Sequence, residues 1–217
     1  MKTIKTFFVS FVFLCLGLVP ISAMGQSLPH TFSANTAAKA SEVNENFKYL
    51  LERFGTRKTT VNCYSGDSIT TALQNYNHII ISGICNEILH LEATSMPHRL
   101  VILEGSSSSS DGINANGVSP PQTESSYTSN AVVYAHGSIT IKISKLKLTG
   151  GTYGVESYLG PSVIIENALI ENNTNSGIAV WGDTGGWIKN STIQNNGEHA
   201  IISGWSSDVN ITGNTIS

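Results

Sequence analysis

Charge is scarce in this 217-residue chain. Only 12% of residues are charged, and arginine occurs three times, at Arg53, Arg57 and Arg99. Twelve Lys and Arg against fifteen Asp and Glu give a net charge of −3. No basic patch is available for nucleic acid or for an anionic membrane surface. Long apolar runs are also lacking. The candidate, Phe7 to Ile21, is interrupted by Ser10, Gly17 and Pro20 and falls short of the roughly 20 residues of a membrane span. It follows Lys2 and Lys5 and ends at Ile21-Ser22-Ala23, the layout of a secretory signal peptide over residues 1–23. Its removal leaves 194 residues with a balance of −5, enough for one core and without a membrane span. The destination implied is secreted, periplasmic or cell-surface.

Cysteine is nearly absent. Cys15 leaves with the signal, and Cys63 and Cys85 remain. An even pair in an exported chain predicts a disulfide, worth about 3 kcal/mol in the chain-entropy picture. The six histidines show no ligand spacing of the kind zinc requires. Asp183 and Asp208 stand isolated, whereas calcium takes about six to eight oxygens. The expectation is no metal and no cofactor.

What is present is a period. Leu148, Ile170, Ile193 and Ile216 lie 22, 23 and 23 residues apart, and Ile143, Ile165, Ile188 and Ile211 repeat the same intervals. Short β-branched runs at this period, broken by Gly and Asn, predict a solenoid of stacked β-coils. Cys63 and Cys85 are also 22 apart, so adjacent coils would bring them together. Within a coil, alternation points Ile141, Ile143, Leu146 and Leu148 inward. Asn172 is expected over Asn195 and Asn173 over Asn196, because Asn tolerates the left-handed turn and stacked amides hydrogen-bond as a ladder.

Three segments precede the repeats. Residues 24–58 form a leader, with Ser41 as helix cap and Val43, Phe47, Leu50 and Phe54 as one apolar stripe. That stripe either docks on the body or self-associates. Residues 59–103 open the body, with a helix over Ile69–Tyr76, capped by Asp67 or Ser68, covering the first coil. Residues 104–130 are a polar interval with five consecutive serines and a brief strand near Ile113 and Val118. The chain stops one strand into a coil, which leaves the last cross-section to a further segment or to another subunit.

With the signal, the Val61-Asn62-Cys63 opening and the Asn-turned coils, residues 59–217 resemble the right-handed parallel β-helix proteins, which include the pectate-lyase-like superfamily. Leu28-Pro29 through Asn46-Phe47 also resembles a leader found after the signal in bacterial secreted proteins. The β-helix resemblance implies an all-β solenoid. It leaves lyase, hydrolase, adhesin and non-catalytic functions open. Lyases of this fold pair acidic clusters with a basic residue, and Lys142, Lys145, Lys147 and Lys189 lack such a cluster. Glycoside hydrolysis needs two carboxylates, and Glu156 and Asp183, on successive coils, are the weak candidates.

The aromatics are more suggestive. Tyr158 and Trp181 are 23 apart and Trp205 follows at 24. Since Val155 and Ile178 face inward, the rings three residues later face outward and form a platform for sugar rings. The expected function is a non-catalytic secreted or surface protein contacting a polysaccharide or cell-surface glycan. The alternatives are a lyase or hydrolase with an incomplete site, and a structural repeat module of an adhesin.

Exported material should therefore begin near Met24 and carry a Cys63–Cys85 bond. N-terminal sequencing checks the first. Thiol counting checks the second, with no free thiol expected before reduction and two after.

Overall fold

The structure, a computed structural model, describes Lys39 and residues 55–96, 99–121 and 129–217. The signal peptide and the leader helix lie outside the described residues. The chain divides into two units, Met1–Gly55 and Thr56–Ser217, and only the second is described below.

Each coil is three short strands joined by tight turns. The turns fall where the sequence supplies residues that tolerate positive φ. Asn167, Asn172, Asn190 and Asn195 all adopt φ of 51–56°. The short asparagine side chain accepts this left-handed geometry at little cost. Between the turns, β-branched runs favour extended chain.

Stacking these coils makes three parallel sheets. Sheet one contains β1 (Lys58–Asn62), β2 (His78–Ser82), β5 (Leu100–Gly105), β8 (Thr140–Ser144), β11 (Ser162–Glu166), β14 (Gly185–Lys189) and β17 (Asp208–Thr212). Sheet two contains β3 (Ile84–Cys85), β6 (Gly112–Asn114), β9 (Lys147–Thr149), β12 (Leu169–Glu171), β15 (Thr192–Gln194) and β18 (Thr215–Ile216). Sheet three contains β4 (Leu89–Glu92), β7 (Val133–His136), β10 (Val155–Tyr158), β13 (Ile178–Trp181) and β16 (Ile201–Gly204). The seven strands of sheet one mark about seven turns of a parallel β-solenoid.

Register follows the sequence period. Ile143 pairs with Ile165, Ile165 with Ile188 and Ile188 with Ile211. Leu148, Ile170, Ile193 and Ile216 form the matching column of sheet two. Ile143, Ile165, Ile170, Ile188 and Ile193 are fully buried in the core, each burial worth about 1.5–3 kcal/mol. The asparagine ladder forms as expected. Asn173 Nδ2 donates to Asn196 Oδ1 at 3.0 Å, and the Gly151 amide donates to Asn173 Oδ1 at 3.1 Å. Asn173 is itself buried, so this ladder satisfies an amide that would otherwise be costly to enclose.

The first coil departs from expectation. Its helix is one turn, Ile69–Ala72, with the Ser68 hydroxyl accepting from the Thr71 amide. Beyond it the hydrogen bonds tighten to three-residue spacing, Gln74 N to Thr71 O and Asn75 N to Ala72 O. The chain then turns into β2 rather than continuing a helix to Tyr76. Ile69 and Leu73 still enter the core. Glu87 completes the cap by accepting from the amides of Ile69 and Thr70 at 2.8 and 3.1 Å. The Cys63–Cys85 disulfide spans a Cα separation of 4.9 Å and ties the turn after β1 to β3.

The serine run is also ordered locally. Buried Asp111 accepts from the amides of Ser106, Ser107 and Gly83, and β6 follows at once with Ile113 in the core. Val118 packs against the core outside any strand. Burial alone would push the Asp111 carboxyl up. The donors from Ser106, Gly83 and Ser107 outweigh it and hold the group at about 2 instead of 3.8.

The lysines of the repeats join coil to coil. Lys142 and Lys189 lie 3.4 and 3.0 Å from the Glu166 carboxylate, and Lys147 lies 3.3 Å from Glu171. The Lys189 hydrogen bond holds Glu166 below the usual carboxylate range, and the His78 hydrogen bond does the same for Glu104.

Two predictions test this arrangement. Ile170→Asp or Ile193→Asp places an unpaired charge in the stack and should cost several kcal/mol, roughly the stability of a domain. Ile164 lies in register between Lys142 and Trp187 on the other face, so Ile164→Asp should leave circular dichroism and the melting temperature nearly unchanged.

The second concerns acid. A depressed folded-state pKa makes the Asp111 contribution fully present above 3.8 and lost as pH falls toward about 2. The urea midpoint of the wild type should drop across that window. Asp111→Asn should be weaker at neutral pH and lose less on acidification.

Candidate functional site

Sheet three presents two columns on the face away from the core. Val133, Ala135, Val155, Ile178 and Val180 point into the core, so alternation puts their neighbours outside. One column runs His90, Tyr134, Glu156, Ala179, Ile202. The other runs Glu92, His136, Tyr158, Trp181, Gly204.

The rings on this face make a continuous strip. His90 and Tyr134 have centroids 5.2 Å apart, Tyr134 and His136 6.3 Å, and His136 and Tyr158 6.0 Å, the last two pairs stacked. Trp205 then closes on Tyr158 at 5.9 Å and on Trp181 at 5.6 Å. A pocket of about 280 Å³ is lined by Tyr153, Glu156, Tyr158, Trp181 and Trp205.

Tyr158 and Trp181 are register partners, as their 23-residue spacing suggested. Trp205 is not the next member of the column. Gly204 takes that place, and Trp205 sits one residue on, in a turn with φ of 54°. Its indole returns to meet the other two rings and stays largely exposed, at 66%. The glycine is required. A Cβ on Gly204 would lie 2.9 Å from Trp181 Cζ3, so the Trp181 indole lies across a bare backbone.

The carboxylates divide differently from the sequence pairing. Glu156 is buried in the pocket wall and accepts a hydrogen bond from the Ser129 hydroxyl. Its neighbour on the next coil is Ala179. Asp183 lies four residues farther on, exposed in the turn after β13, and does not line the pocket. The structure therefore places Glu156 with the aromatics and Asp183 apart from them.

Several neighbours were not singled out from sequence. Ser129 links two of them. Its carbonyl meets His90 Nε2 at 2.8 Å while its hydroxyl serves Glu156. Glu92 is largely buried, and its Oε1 and His90 Nδ1 have no hydrogen-bond partner among the described residues. Burial raises the Tyr134 phenol far above its ordinary value, and the Glu156 and Glu92 carboxylates add to the rise. Burial and the nearby Glu156 and Glu198 carboxylates raise Tyr153 likewise. Both phenols stay protonated and remain hydrogen-bond donors at neutral pH. His136 was detectable, since it precedes Tyr158 by 22 residues. Tyr134 and Glu92 lie across the polar interval, where the period breaks.

Residues 130–217 match the family model described as the right handed beta helix region. The same three sheets extend back to Lys58. The protein is a parallel β-helix repeat protein. No curated protein and no solved structure matches the chain.

Proposed function

We propose that this β-helix protein is exported and binds a glycan, without cleaving it, on the outer face of sheet three. The pocket walled by Tyr153, Tyr158, Trp181 and Trp205 carries this reading. The apolar faces of sugar rings pack on such rings, while phenol and indole edges meet the hydroxyls. Strands about 4.8 Å apart repeat the contact along the solenoid, which suits a polymer. A single carboxylate, Glu156, lines the pocket, where glycosidic cleavage ordinarily employs two. The disulfide between Cys63 and Cys85 supports an oxidising, exported setting.

Burying one sugar face on an indole is worth on the order of 1–2 kcal/mol. Trp181→Ala should thus weaken glycan binding about tenfold, with circular dichroism unchanged because Trp181 lies outside the core. A glycan array on wild type and variant checks this. An array on which the wild type binds nothing, or the variant binds as well, disposes of the platform.

A further inference from the structure

We infer that this pocket selects a positively charged ammonium group, so that its glycan carries amino sugars or another alkylammonium substituent rather than uronic acids. The inference rests on the glycan reading for the polymer and on the pocket itself for the charge.

Three observations point the same way. First, four aromatic side chains, Tyr153, Tyr158, Trp181 and Trp205, line one small pocket. Trp205 lies within 5.9 Å of the Tyr158 ring and 5.6 Å of the Trp181 ring. Ring faces attract cations at about this range, and aromatic enclosures are a standard means of holding substituted ammonium groups. Second, the pocket's one charged lining residue is an acid. Glu156 is 1% exposed, and its negative charge acts on both Tyr153 and Tyr134. None of the five strands of sheet three carries Lys or Arg, which an anionic sugar would require. A carboxylate with aromatic walls in a poorly hydrated pocket attracts a cation more strongly than either does in water.

Third, the far end of the strip also calls for donors. Glu92 is 9% exposed, and its Oε1 lacks a partner among the described residues. His90 Nε2 faces the Ser129 carbonyl, which only accepts, so Nε2 carries the hydrogen. In the neutral ring Nδ1 is then an acceptor, and it too lacks a partner among the described residues. The strip offers acceptors and negative charge at both ends. An ammonium or hydroxyl satisfies them, whereas a carboxylate or sulfate meets repulsion.

Calorimetry on the exported protein with four probes tests this. The probes are a glucosamine tetramer kept below its amine pKa, its fully N-acetylated counterpart, tetragalacturonate and tetramethylammonium chloride. The glucosamine tetramer should bind about tenfold more tightly than the acetylated one. Tetragalacturonate should not bind, and tetramethylammonium should compete. Glu156→Gln should erase the preference while leaving the acetylated tetramer bound. Trp205→Ala, at an exposed position, should weaken both ammonium probes without disturbing the fold, and it carries the test should the buried variant misfold. Equal binding of both tetramers, or a preference for tetragalacturonate, overturns the ammonium inference and leaves the glycan reading standing. Binding of tetramethylammonium alone supports the inference and removes the glycan reading. Silence from all four overturns both.

Discussion

Everything in this molecule depends on one coil lying in parallel register on the next. The ladder of backbone hydrogen bonds satisfies strands that have no other partner, and the same register fills the interior with like side chains. Ile143, Ile165, Ile188 and Ile211 stack because their backbones are paired, and the pairing holds because their side chains have nowhere else to go. A slip of one residue would turn the whole column outward. The asparagine turns serve the same end, since Asn173 and Asn196 repeat the hydrogen-bond ladder in their side chains and penalise any other offset.

Because register is inherited from coil to coil, the outer faces are columns as well, and different sheets carry different chemistry. Outside sheets one and two, Lys142, Lys147 and Lys189 alternate with Glu166 and Glu171. These exposed pairs are individually weak, but they keep that side hydrated and discourage edge-to-edge association. They also engage the basic residues of the repeats, so those lysines do not gather as a base beside an acid. Outside sheet three the columns are histidine, tyrosine, tryptophan and glutamate. A ring strip is a poor solvated surface. Its concentration on one sheet is what distinguishes a binding face from scattered exposure.

The period made the architecture legible. Ile170 over Ile193 and Asn172 over Asn195 were both readable from spacing alone. The site was legible where the period ran unbroken, hence Tyr158 over Trp181. It was hidden where the period failed. Leu100 pairs with Thr140, a step of 40 residues, because the polar interval is inserted within that coil. Glu92 therefore meets His136 with no numerical hint. The pairing of Glu156 with Asp183 failed for another reason. Lying on successive coils brings two residues together only at the same strand position, and Glu156 has Ala179 opposite it. Likewise the one-turn helix at Ile69–Ala72 follows from local competition that an apolar spacing does not encode.

The departure of Trp205 from the column is what converts a surface into a pocket. Rings repeated in strict register stack on one another, as His136 and Tyr158 do at 6.0 Å with planes 19° apart. Such a stack satisfies itself and presents only edges. At Trp181 the repeat is broken, because Gly204 occupies the next position and offers no side chain. Trp205 then approaches from the following residue, inclined 46° to Trp181 and 68° to Tyr158. Inclined rings cannot close on each other, so a gap remains between them, and Glu156 reaches it from the adjacent column. The repeat supplies the wall, and a single glycine with a displaced tryptophan opens it. That is why the binding face is found where the solenoid's own period is violated by one residue.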